Sequence, residues 1–227
     1  LETATVAVIL EPLVQGAGGM SMVRPKFLQE VAQRTRQAGA LLIADEVLTG
    51  FGRCGTLFAF KRAGIQPDLI ALSKGLTGGF LPMGVTMASE EIFSAFVGKD
   101  PHLTLWHGHS FTANPLGCAA ANASLDLLEN NPEKYENFES RHLSHLKTIA
   151  KHSKVEKIRV TGSIAAFDIK VDGPTGYLNL AGQAIKASAM ERGVFLRPLG
   201  NVIYLLPPLC INDEQLEHCY SAIKEGV

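Results

Sequence analysis

Two residues could do together what neither would do alone: Asp45, closing the apolar run 41–44, and Lys74, following the apolar run 69–72, a separation of 29 positions (74 − 45). Both runs are short, β-prone and bounded by glycine-rich turns, the pattern of buried strands in a parallel sheet. In open α/β sheets ligands bind just beyond the carboxyl ends of the strands, where this pair falls. An ionised carboxylate is costly at the end of a buried strand unless something pairs with it. A lysine beside it, released into glycine, can serve as an amine nucleophile toward a carbonyl. Pyridoxal phosphate needs these two groups, a lysine for its aldehyde and an acid that keeps its pyridine nitrogen protonated. Each residue also has a plainer use, Asp45 as the cap of the next turn and Lys74 as a loop cation. The pair, each member on its own apolar strand with glycine-rich exits, favours the cofactor.

The elements that must position this pair alternate strand and helix. Residues 6–10 form a strand leading into the glycine-rich loop 15–19. Pro25 starts an amphipathic helix, with Phe27, Leu28, Val31 and Ala32 on its apolar face, that runs to about Gln37 and stops at Gly39. Pro67 and Asp68 open the Lys74 strand, and 85–88 make another. Asn114 and Pro115 begin an alanine-rich helix through 119–129, whose small side chains permit close packing at an interface or on the sheet. The character then changes: a charged helix (132–151), short strands (158–160 and 165–171), a helix (180–192), two more strands (194–197 and 202–206) and a last helix (213–224). The expected fold is α/β in two units, residues 1–132 and 133–227.

The run IADEVLTGFGRCG (43–55), followed by PDLIALSKGLTGG (67–79), resembles the signature of the class III, subgroup II aminotransferases, which are fold-type I enzymes dependent on pyridoxal 5'-phosphate. EPLVQGAGG (11–19) and HGHSFTANPLGCAAANASL (107–125) extend the likeness over essentially the whole chain. Together with LRPLGNVIYLLPP (196–208) they are similar to the members that convert 8-amino-7-oxononanoate to 7,8-diaminononanoate in biotin synthesis. The resemblance implies the rear part of a large, mixed and mostly parallel cofactor domain (1–132) and a small C-terminal α/β domain (133–227). Chains of this family are much longer, so it also implies that an N-terminal half is absent.

The same resemblance assigns work to particular residues. Lys74 would carry the cofactor as a Schiff base and, once displaced, move a proton; Asp45 would pair with the pyridinium. Val47, two residues on and on the same face of an extended segment, would pack on the ring, or serve the core alone. Gln15 falls near the ring's 3' oxygen, or belongs only to a structural turn. Ser110, a hydroxyl in a glycine-containing loop ahead of a helix, suits a phosphate, and in the family this contact is made to the partner subunit's cofactor, which implies a homodimer with its site at the interface. Gly108 and His109 flank it, against phosphate or substrate; His109 departs from members with proline there. Arg197 sits between apolar Leu196 and Pro198, where a solvated charge is unexpected; its planar fork suits a carboxylate, that of the substrate by resemblance or a structural acid otherwise. Adenosylmethionine or lysine would be the amino donor in ping-pong order. Other class III transaminases acting on ω-amino acids, a pyridoxal phosphate aminomutase, and an inactive fragment of such an enzyme share these features and stay open.

Composition limits the remaining classes. With 46% hydrophobic and 19% charged residues over 227 positions, the chain can bury a substantial core. A formal net charge of −1 gives no electrostatic case for nucleic acid or an acidic membrane, and no apolar run approaches the ~20 residues that span a bilayer. Cys54, Cys118, Cys210 and Cys219 show no C-x-x-C pairing, so reduced thiols in a compartment such as the cytoplasm are expected, with an upstream organelle-targeting segment left open. Among seven histidines, His107 and His109 stand closest together, and without a third ligand no metal is expected.

Overall fold

The computed structural model describes residues 5–227. Along the chain lie β1 (Ala7–Leu10), β2 (Val14–Gln15), β3 (Ser21–Met22), α1 (Pro25–Gln37), β4 (Leu41–Asp45), α2 (Ala59–Ala63), β5 (Leu69–Leu72), β6 (Val85–Ala88), α3 (Glu90–Ser94) and α4 (Pro115–Glu129). They are followed by α5 (Glu133–Glu136), α6 (Phe138–Ile149), β7 (Val155–Thr161), β8 (Ile164–Ile169), α7 (Ala181–Glu191), β9 (Val202–Leu205) and α8 (Asp213–Gly226). A front sheet has the order β1-β4-β5-β6, and a rear sheet β7-β8-β9 is antiparallel throughout.

In the front sheet β1, β4 and β5 are parallel, as expected, and β6 runs antiparallel to β5. Pro25 fixes the first turn of α1, and the helix lays Leu28, Ala32 and Thr35 against the sheet before Gly39, in a left-handed conformation (φ +67°), turns the chain into β4. Alternation along β4 sends Leu42 into that core and buries Ala44 on the same face, and it turns Ile43 and Asp45 to the other face. The sequence pattern suggests strands covered on both faces. Among the described residues only one face is well covered: Ile9 on β1 is 64% exposed, and all four residues of β6 are exposed.

The rear sheet carries α6, α7 and α8. Phe138, Leu146 and Ile149 of α6, Ile185 and Ala189 of α7, and Leu216, Tyr220 and Ile223 of α8 close over Ala165, Phe167 and Ile169 of β8. The intervening residues Ile164 and Ala166 point the other way and join the front core with Leu13, Met20 and Cys54. Period-two alternation thus makes β8 a wall shared by two cores, which is why all six of its residues are buried. A capping box starts α8, where Asn212 accepts from the Gln215 N–H at 2.8 Å and the Gln215 side chain accepts from the Asn212 N–H at 3.1 Å.

Two expected elements differ. The charged helix is broken at Asn137 into α5 and α6, a residue type that competes poorly for helix interiors. The break lets Tyr135 pack on Gly52 while Phe138 enters the rear core. The expected strand 194–197 joins no ladder; Pro198 has no N–H to donate, and pairing resumes only as an isolated bridge between Leu199 and Val202.

Candidate functional site

The register of the front sheet places the two chemical residues at the same ends of neighbouring strands. Asp45 is the last residue of β4 and stands opposite Ala71 of β5, and the next N–H, that of Glu46, donates to the Ala71 carbonyl at 2.9 Å. Lys74 follows three residues beyond Ala71, so carboxylate and amine leave the same edge of neighbouring parallel strands, whose axes lie about 5 Å apart. Lys74 is exposed and left-handed (φ +46°), uncommon for a residue with a side chain, and opens a 3-10 turn, Lys74–Thr77, that Gly78 (φ +62°) ends. Ser73 anchors the turn by donating its hydroxyl to the Met83 carbonyl at 2.7 Å. The half-buried Asp45 accepts the Val47 N–H on Oδ1 at 3.1 Å, which fixes its carboxylate relative to the strand end.

Gln15 lies on the β2–β3 hairpin, beside Gly16. The Gly16 N–H donates to Glu11 Oε2 at 2.9 Å, and a Cβ on Gly16 would lie 2.4 Å from the Leu48 side chain, so this loop presses on the segment that follows Asp45 and contains half-buried Val47. Gln15 itself is exposed. On the far side, α4 touches the lysine turn through Ser124, whose hydroxyl donates to the Gly75 carbonyl at 3.0 Å.

The other expected site residues are not gathered with these. Gly108, His109 and Ser110 lie in an exposed loop before α4, in which the His109 N–H donates to Thr112 Oγ1 at 2.9 Å and His109 Nδ1 accepts the Phe111 N–H at 3.1 Å. Among the described residues no hydrogen bond joins them to Asp45 or Lys74. Arg197, unexpectedly, is exposed. It lines a separate hollow of about 1100 Å³ with Tyr204, Cys210, Ile211 and His218, to which Asp45 and Lys74 do not contribute. Burial pushes the Tyr204 hydroxyl up from its ordinary pKa, and the Arg197 charge opposes that rise.

Sequence reading passed over Glu46. It is completely buried, its Oε1 accepts the Phe60 N–H at 2.7 Å, and its Oε2 accepts the Ala59 N–H at 2.9 Å and the Thr49 hydroxyl at 3.1 Å. Burial pushes its carboxyl above the usual range, the two N–H groups and Thr49 pull it back, and neighbouring Asp45 adds to the rise. The available signal was an acid in an otherwise apolar strand exit, directly before a glycine-rich loop. Cys54, in the same loop, is buried with its thiol pushed up chiefly by burial, which makes it a poor nucleophile. Among the described residues no group of three or more His, Cys, Asp or Glu side chains could hold a metal, and no helix is long and apolar enough to cross a membrane.

A small cationic ring bearing an aldehyde fits the paired strand ends: the fixed Asp45 carboxylate suits a protonated ring nitrogen, and Lys74 suits the aldehyde. The family model described as "Aminotransferase class-III" matches residues 1–227, and the chain belongs to this family, with its fold-type I α/β architecture. It is 57% identical over 219 residues to the adenosylmethionine-8-amino-7-oxononanoate aminotransferase of Synechococcus elongatus, covering 96% of this chain and 51% of that one. To the protein of the same name from Geobacter sulfurreducens it is 40% identical, with 96% and 50% covered. A crystal structure of the namesake from Methanocaldococcus jannaschii superposes with a TM-score of 0.86 at 33% identity, covering 96% of this chain and 53% of the other. The chain therefore spans about half the length of the relatives it matches.

Proposed function

We propose that this chain provides the lysine-bearing part of a pyridoxal phosphate-dependent aminotransferase that aminates 8-amino-7-oxononanoate to 7,8-diaminononanoate, the step its relatives are named for. The observation that carries the reading is the placement of Asp45 and Lys74 at the carboxyl ends of two adjacent parallel strands. When bound there, the cofactor supplies an electron sink for the carbanion left when an amine loses its α-proton. Lys74 would hold the aldehyde, and its ε-amine, once freed by an incoming amine, would carry the proton between the donor carbon and the cofactor's aldehyde carbon, which lie on either side of the shared nitrogen. Asp45, whose carboxylate is held by the Val47 N–H, would pair with the protonated ring nitrogen. Val47 would cover one ring face and Gln15 would serve the phenolic oxygen; the absence of a side chain at Gly16 leaves room for Leu48 between their segments. Ser110, flanked by Gly108 and His109, serves a phosphate group, and Arg197 binds the substrate carboxylate.

These last residues stand apart from Lys74 within one chain, which accords with a homodimer in which Ser110 serves the partner subunit's site. Phe80, Trp106 and Phe111 are 81%, 83% and 76% exposed, the last two close to Ser110 in the chain, and a partner subunit would cover such side chains. A division between cofactor and C-terminal domains after residue 132, and a cytoplasmic setting for four unpaired cysteines, complete the proposal.

The test is product formation. With pyridoxal phosphate, 8-amino-7-oxononanoate and either adenosylmethionine or lysine, the dimer should yield 7,8-diaminononanoate, with the donor consumed in equal amount. Amine transfer only to a simple ω-oxo acid would move the protein to another class III activity. Isomerisation with no donor consumed would make it an aminomutase.

A further inference from the structure

We infer that Glu46 is a positioning residue for Lys74 and acts on it through Phe51. The inference rests on the reading of Lys74 as the cofactor lysine, but its physical basis is independent of that reading.

The Glu46 carboxylate meets three donors and no cation. One oxygen takes the Phe60 N–H; the other takes the Ala59 N–H and the Thr49 hydroxyl. Ala59 and Phe60 lie at the far end of the loop that Glu46 begins, so the carboxylate draws the ends of loop 46–60 together. Its backbone tightens the same turn: the Gly50 N–H donates to the Glu46 carbonyl at 3.0 Å, and a Cβ on Gly50 would approach that oxygen to 2.9 Å. A carboxamide cannot replace this carboxylate, because its NH2 would face a backbone donor in a buried site.

The closed loop delivers Phe51. This buried residue is held left-handed (φ +56°), a conformation that persists in a non-glycine residue only where its surroundings enforce it. Its ring meets Phe58 edge-on at 5.5 Å, and Phe58 stacks on Phe60 at 5.8 Å, so the residue bound by Glu46 also supports the aromatic row. At the end of that row is Gly75, where an added Cβ would lie 2.8 Å from Phe51 Cβ. The hydroxyl of Ser124 holds the Gly75 carbonyl from α4. Gly75 is thus clamped between Phe51 and Ser124, and Lys74, the residue before it, is like Phe51 held in the left-handed region, as are four other non-glycine residues among those described. Releasing Glu46 would release Phe51, and the lysine turn would relax toward ordinary backbone angles.

Amide hydrogen exchange on the cofactor-free full chain reads this directly. The Leu76 and Gly78 N–H groups close the lysine turn onto the Ser73 and Gly75 carbonyls. In Glu46→Gln and in Phe51→Ala their exchange should quicken about tenfold, while amides of α8 keep their wild-type rates. The double variant should exchange no faster than the faster single variant, because the two residues act in series. Phe51→Leu, which keeps a large apolar contact, should restore most of the protection. Should Glu46→Gln not fold, Thr49→Val removes one of the three hydrogen bonds and should quicken the same two amides to a lesser degree. Loosening confined to loop 49–60, with Leu76 and Gly78 unchanged, or strictly additive effects in the double variant, would overturn the inference. Trapping pyridoxal phosphate on wild-type Lys74 by borohydride tests the underlying reading separately: no trapping removes the cofactor role, whereas trapping with an unchanged turn in the variants removes only the relay.

Discussion

Strands β6 and β8 show how differently the two sheets are finished. Both are short and apolar, yet every residue of β8 is buried and every residue of β6 is exposed. β8 lies centrally in its sheet, with Ala165, Phe167 and Ile169 in the rear core, Ile164 and Ala166 in the front core, and Asp168 paired with Arg159 and Lys157. β6 is an edge strand with neither face covered, followed by a long stretch of exposed aromatic residues. The rear sheet therefore closes its own core, whereas the front sheet covers one face and ends in an exposed edge strand beside the strands that carry the chemical residues. In the proposed homodimer that division would be useful, since the partner subunit would complete the site.

The contrast can be broken most severely in the rear core. Leu216→Ala empties a fully buried position between α8 and β8 and should cost about 2–5 kcal/mol in denaturant unfolding. A loss under 1 kcal/mol would show that the rear core is not what holds the fold.

His142 sharpens the same point through pH. It is fully buried, with Nδ1 2.7 Å from the Tyr220 hydroxyl and Nε2 3.1 Å from the Ser163 carbonyl, so a neutral ring satisfies both by accepting from one and donating to the other. Burial, as the main cause, lowers its pKa from 6.5 to about 4. The unfolded chain then binds the extra proton first as pH falls, so this contribution is fully present above about 6.5 and is lost progressively toward pH 4. The loss should amount to about 3 kcal/mol. In His142→Gln that part of the pH dependence should vanish from the unfolding midpoints; an identical profile in wild type and variant would remove His142 as its source.

A third effect lies on the seam between the sheets. Gly162 is left-handed (φ +56°), and a Cβ there would lie 2.3 Å from the Arg53 carbonyl oxygen. Gly162→Ala should cost about 2–3 kcal/mol by calorimetry, from strain and displacement of the Arg53 loop. A silent substitution would mean that the two cores meet more loosely than their shared strand requires. The smallest effect belongs to β6, where Met87→Ser should change stability by less than about 0.5 kcal/mol in the chain alone. A large loss there would show that β6 is covered after all.

Much of this arrangement was legible in the sequence because local chemistry dictated it. Pro25 and Gly39 bracket α1, and the apolar runs before Asp45 and Lys74 form neighbouring parallel strands. The site's support was less legible because it depends on contacts distant in sequence. Nothing local shows that Glu46 would reach Ala59 and Phe60, or that Phe51 would fill the space beside Gly75. The strand expected at 194–197 failed for a comparable reason: its apolar pattern is right, but a ladder needs a partner, and pairing returns only after Pro198. The exposure of β6 could not be read at all, since an edge strand and a central strand can have the same composition.

The central claim is that Lys74, backed by Asp45, is the cofactor-bearing residue. The most direct measurement adds pyridoxal phosphate to the chain, reduces with borohydride, and locates the added mass by peptide mapping, with Lys74→Ala and Asp45→Asn alongside. One reduced adduct on Lys74, absent from Lys74→Ala and much weaker in Asp45→Asn, is the predicted result. Adducts scattered over surface lysines and indifferent to both substitutions would contradict it.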